Sequence, residues 1–103
     1  MSDARVEQFK QMVAEFPDSP MGHFSLGKLY LEERRYAEAA KCLEDAIRLD
    51  PEYAAALVSL GDAYVGAGEK EKARATWERA RGTALGQKHA SLAEEIDERI
   101  NEL

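Results

Sequence analysis

Residues 25–30 read SLGKLY and residues 59–64 read SLGDAY. The phrase returns 34 positions later with Ser, Leu, Gly and Tyr in the same places. The agreement extends outward from it. Laying residues 20–53 over residues 54–87 puts Leu26 on Leu60, Gly27 on Gly61 and Tyr30 on Tyr64. The same register puts Ala39 on Ala73, Leu43 on Trp77, Ala46 on Ala80 and Pro17 on Pro51. A fixed period of this length marks a supersecondary unit made twice. Each unit is too small to bury its own apolar face and stacks on its neighbour.

The units are helical. Apolar residues recur at helical spacing and no run alternates as a strand would. Prolines and glycines punctuate the chain at Pro17, Pro20, Pro51, Gly66, Gly68, Gly82 and Gly86. Six helices are expected. The first covers Asp3–Phe16 with the stripe Val6, Phe9, Val13 and Phe16 inward. The second covers Pro20–Glu33, capped by Asp18 or Ser19, with Pro20 in its first turn where the missing N–H leaves nothing unpaired. The third covers Tyr36–Leu49, the fourth Tyr53–Val65 and the fifth Lys70–Ala84. The sixth covers Lys88–Glu102, with Leu92, Ala93, Ile96, Ile100 and Leu103 inward and about two extra residues in the GTALGQKH connection before it. Short links make consecutive helices antiparallel.

Gly27 and Gly61 fall inside helices, where glycine costs about 1 kcal/mol relative to alanine. A close helix crossing would compensate, with Ala39 and Ala73 as the small partners on the second helix of each pair.

A chain of 103 residues makes one domain, 1–103. With 33% charged residues and few glycines or prolines it is not a disordered sequence. The net charge of −6 opposes phosphate backbones and anionic membranes, and the basic residues are interleaved with acids, so nucleic acid and membrane are excluded as partners. Glu44 with Arg48 and Glu95 with Arg99 stand at the favourable i,i+4 spacing for pairing on a helix face. The single cysteine, Cys42, permits no internal disulfide. MSDARVEQFKQ contains no apolar run like a signal peptide, and no stretch approaches a membrane span. A cytoplasmic location is the expectation.

The repeated phrase resembles the tetratricopeptide repeat, whose pattern is W-x2-L-G-x2-Y, then A-x3-F, then A and P. The first copy reads His23-x2-Leu26-Gly27-x2-Tyr30, Ala39-x3-Leu43, Ala46 and Pro51. The second reads Leu57-x2-Leu60-Gly61-x2-Tyr64, Ala73-x3-Trp77 and Ala80, with Leu85 where proline would fall. The resemblance implies an all-α, right-handed α-solenoid of antiparallel helix pairs. Repeats at 20–53 and 54–87 are flanked by an N-terminal half unit at 3–16, with Phe9, Met12 and Pro17 at signature positions, and by a capping helix at 88–103.

Groups for catalysis are sparse. His23 sits at a core position, His89 near a helix start, and neither belongs to a set with metal spacing. Cys42 reads as a small, partly covered side chain. Glu94, Glu95, Asp97, Glu98 and Glu102 read as a solvated face. VGAGEKEKA lacks the phosphate-loop pattern and follows a helix rather than a strand. No enzyme, cofactor or metal is expected.

In the family the first helix of each pair lines a concave groove that receives peptides. The resemblance places Met21, Phe24, Lys28 and Leu31 there from one repeat, and Ala55, Val58, Asp62 and Val65 from the next. It implies an adaptor or scaffold binding an apolar or amphipathic segment, with a basic group of the ligand opposite Asp62. Packing against neighbouring helices is the competing explanation for this second apolar face, above all at Leu31 and Val65. One family subtype grips C-terminal carboxylates. Its positions are Phe24, Lys28, Ser59, His89 and Ala93 here, and only Lys28 agrees in charge, so that specificity is not carried over. A self-association module forming a homo-oligomer is the alternative function.

Overall fold

A computed structural model describes residues 3–103. Its helices are α1 (Asp3–Glu15), α2 (Pro20–Glu32), α3 (Tyr36–Leu49), α4 (Ala54–Gly66), α5 (Lys70–Gly86) and α6 (Ala90–Asn101). Strands are absent among the described residues. Each helix packs on the next one in the chain, as an array of hairpins with short links must. Among the described residues no helix is long and apolar enough to cross a membrane.

Local chemistry sets the ends. Ser19 caps α2, its Oγ accepting the Met21 N–H at 3.4 Å, and Pro20 occupies the first turn. The turns inside the two pairs are built alike. The Arg35 N–H donates to the Tyr30 carbonyl at 2.9 Å, and the Glu69 N–H to the Tyr64 carbonyl at 2.8 Å. The residue before each donor lies in the left-handed region, Arg34 at φ 59° and Gly68 at φ 80°. The link between pairs differs: Asp50 turns the chain, its Oδ1 accepting the Glu52 N–H at 3.1 Å.

The core runs continuously through the stack. Leu26, Tyr30, Ala39, Leu43 and Ala46 of the first unit, and Leu60, Ala73, Trp77 and Ala80 of the second, are buried. Leu43, Leu57 and Ile96 are its largest fully buried side chains. Truncating any one to alanine would cost about 2–5 kcal/mol. Pro51 is exposed and Tyr64 half-buried, the latter donating its hydroxyl to Glu44 Oε2 at 2.5 Å.

Four expectations need correction. The atoms nearest the helix glycines belong to larger side chains than Ala39 and Ala73. A β-carbon on Gly27 would lie 2.7 Å from Leu43 Cγ, and one on Gly61 would overlap the Trp77 indole. The larger residue of each second helix therefore fills the gap left by the glycine. Phe16 is not inward but 60% exposed, because α1 ends at Glu15 and Phe16 lies beyond its last turn. Glu44 and Arg48 do not pair, since Glu44 accepts from Tyr64 and Arg48 turns to Asp45 at 3.7 Å. Finally, α5 runs two residues past the expected Ala84, through Gly82, and ends at Gly86.

The last helix starts at Ala90, two residues later than a strict 34-residue register from Ala54 would place it. The added length goes into α5, which has 17 residues against 14 in α3. The α5–α6 link uses the turn found inside pairs, with the His89 N–H donating to the Ala84 carbonyl at 2.8 Å and Lys88 at φ 62°. An ion pair, Arg81 Nε to Asp97 Oδ1 at 2.6 Å, ties α6 to α5.

Candidate functional site

The residues assigned to the groove divide into two groups. Phe24, Lys28, Ala55, Val58 and Asp62 line one cleft of about 210 Å³, together with Ser59, Leu92 and Arg99. The cleft lies between α2, α4 and α6, the first helices of the two pairs and the terminal helix. Met21, Leu31 and Val65 do not line it. Met21 is 66% exposed near the start of α2, Leu31 packs against the core, and Val65 lies exposed at the end of α4.

Helical spacing explains which residues converge. Phe24 and Lys28 are one turn apart on α2, as are Ala55, Val58 and Asp62 across successive turns of α4. Val58 is only 8% exposed and forms floor rather than rim. The Phe24 ring packs on Tyr53, centroids 4.9 Å apart and planes tilted by 35°. Tyr53 stands at the N-cap of α4. Sequence reasoning took Tyr53 as the first residue of the fourth helix and did not single it out, whereas it is the N-cap residue and its ring turns to Phe24.

The electrostatics centre on Asp62. Arg99 of α6 reaches across to it, Nε to Oδ1 at 3.2 Å, and holds Glu95 Oε1 at 2.8 Å. The i,i+4 pairing of Glu95 and Arg99 is therefore present, with a second carboxylate on the same guanidinium. Burial pushes the Asp62 carboxyl above its ordinary value, and Arg99 and Lys28 pull it only part of the way back. The bond to Glu95 leads the forces that raise the Arg99 guanidinium. Asp62 is thus already engaged, which corrects the expected ligand base opposite it. Asp62 in an otherwise apolar α4 was the available signal that a cross-helix partner existed. Spacing within α6 could not say that Arg99 was that partner. Lys28 is exposed and makes no ion pair among the described residues.

A larger crevice, about 470 Å³, opens between α3, α4 and α5. Its charged rim is already occupied internally. Arg79 donates to the Pro51 carbonyl at 3.1 Å, Glu44 accepts from Tyr64, and Arg48 pairs with Asp45. The smaller cleft has the freer groups.

The other singled-out residues fall elsewhere. His23 is largely covered, its Nε2 3.1 Å from the Pro17 carbonyl and its Nδ1 4.0 Å from Asp45. His89 is the N-cap residue of α6 without a side-chain capping bond. Cys42 is half-buried, and burial pushes its thiol up to about 11. Among the described residues no group of three or more His, Cys, Asp or Glu is placed to hold a metal.

A tetratricopeptide repeat description matches residues 24–86. The chain belongs to the tetratricopeptide repeat family. It is 36% identical over 79 residues to a TPR repeat-containing protein of Pseudomonas aeruginosa, covering 77% of this chain and 75% of that one. Its fold is similar to the TPR2B domain of yeast Sti1, solved as a complex with pHsp70, at a TM-score of 0.88 and 23% identity, covering 93% of this chain and 77% of that one. It is similar also to the solution structure of protein BPP2914 from Bordetella parapertussis, at a TM-score of 0.82 and 28% identity, covering 94% and 84%. Both likenesses agree with an all-α tetratricopeptide array. That fold is a general protein–protein interaction module.

Proposed function

We propose that this tetratricopeptide array is an adaptor whose cleft between α2, α4 and α6 receives an apolar or amphipathic segment of a partner protein. The observation that carries this reading is the convergence of Phe24, Lys28, Ala55 and Leu92, from three separate helices, on one open cleft. Short helical arrays use such surfaces for extended or helical partners. The reading gives the chain no catalytic step and no cofactor, and its net charge of −6 argues against nucleic acid and anionic membrane as ligands. A cytoplasmic location goes with this reading.

Partner capture from native lysate tests it. Wild type and the double variant Phe24→Glu, Ala55→Glu serve as twin baits, both checked for equal melting temperature. The exposed Ala55 is chosen over the buried Val58, where a glutamate would attack the fold itself. A protein held by the wild type and released by the variant supports an adaptor.

A second reading has its own observation. Met12, Phe16 and Met21 are exposed near the α1–α2 link, an apolar patch that a second copy could cover. If both baits hold the same proteins, or only copies of the chain, and sedimentation shows mass rising with concentration, self-association replaces the adaptor.

A further inference from the structure

We infer that the segment received by the α2–α4–α6 cleft carries an apolar side chain and, about one helical turn from it, an acidic side chain that pairs with Lys28. The inference rests on reading that cleft as the binding surface.

The apolar half follows from the lining. Phe24 is held against Tyr53, and Ala55, Val58 and Leu92 add no polar side-chain atom. A ligand side chain placed there gains by leaving water.

The acidic half follows from which charges remain free. Lys28, Asp62 and Arg99 line the cleft. Asp62 and Arg99 satisfy each other at 3.2 Å, and Glu95 holds the same guanidinium at 2.8 Å. A ligand cation would have to displace an arginine anchored by two carboxylates. A ligand carboxylate meets Lys28, which is exposed and makes no ion pair among the described residues. Chain net charge narrows this further. At −6 the protein repels a heavily acidic partner, so one acid in an apolar context is what the cleft admits.

The spacing follows from α2. Phe24 and Lys28 are four residues apart, which is about 6 Å along a helix axis. A helical ligand matches that with an acid three or four residues from its anchor, and an extended one with an acid about two residues away.

Selection from a random peptide library tests the inference. The peptides are displayed with their C-termini joined to the carrier, so only side-chain carboxylates are available. Wild type, Lys28→Glu and Phe24→Glu are the targets. Wild type is expected to enrich an apolar residue with Asp or Glu at the stated spacing. Lys28→Glu is expected to exchange that acid for Lys or Arg, and Phe24→Glu to lose the set. Apolar sequences without the acid, lost by Phe24→Glu, would overturn the inference while leaving the cleft as the binding surface. An identical set from Lys28→Glu would overturn it equally. A wild-type set no different from that of Phe24→Glu would overturn the cleft itself.

Discussion

The Trp77 indole occupies the space that a β-carbon on Gly61 would need, and its Nε1–H donates to the Val58 carbonyl at 3.0 Å. Close approach and hydrogen bond lock α5 onto α4 together. Gly61→Ala would gain about 1 kcal/mol of helix propensity. Against that stand overpacking, at about 1–3 kcal/mol, and a strained buried hydrogen bond, at about 1 kcal/mol. The expected result in urea unfolding is a net loss of about 1–3 kcal/mol, part of which returns in Gly61→Ala, Trp77→Leu. A single variant as stable as the parent would contradict the packing described.

Asp62 gives a pH dependence. Its carboxyl is raised in the folded chain, chiefly by burial, so the folded state holds that proton more tightly than the unfolded one. Its stabilising share is therefore complete below the ordinary carboxylate range and falls as pH rises through the raised value. Asp62→Asn removes the dependence. The stability of the variant relative to wild type should improve between pH 4 and pH 7, as measured by paired thermal melts. An unchanged or opposite trend would show that the Arg99 pairing outweighs burial.

Cys42 should react slowly. With its thiol at about 11 in place of an ordinary value near 9, the thiolate fraction at neutral pH drops roughly a hundredfold. Alkylation by iodoacetamide at pH 8 is expected to run about that much slower than for the unfolded chain, before steric cover is counted. Equal rates would reopen a redox role for this residue.

Arg34 and Lys88 hold the left-handed turn position that Gly68 holds at the α4–α5 link. A side chain there costs about 1–2 kcal/mol, offset in part by the greater freedom of glycine in the unfolded chain. Arg34→Gly and Lys88→Gly are each expected to stabilise by about 0.5–1 kcal/mol in thermal unfolding. The Arg34 gain is the smaller if its long side chain contributes packing.

Much of the fold was legible because a 34-residue register constrains two helices at once. Matches at Leu26 and Leu60, or Ala46 and Ala80, fix which faces turn inward. What the register could not carry lies where the copies differ or end. Leu43 and Trp77 are unlike in shape, so their shared role against Gly27 and Gly61 was hidden. The two extra residues before α6 were sensed but assigned to the connection, whereas Leu85 and Gly86 extend α5. In the cleft, α2 and α4 residues were readable from helical spacing. Leu92 and Arg99 were not, since α6 lies outside the repeat and no spacing rule reaches from Arg99 to Asp62. Once that pair was placed, the free charge of the cleft changed from Asp62 to Lys28.

The central claim is that a partner segment lies between α2, α4 and α6. Isotope-labelled chain titrated with a peptide enriched by the wild type, and followed by backbone amide shifts, tests it most directly. Shifts centred on Phe24, Lys28, Ala55, Ser59 and Leu92 are the expected result. Shifts centred instead on Glu44, Arg48, Thr76 and Arg79, which line the crevice between α3, α4 and α5, would contradict it.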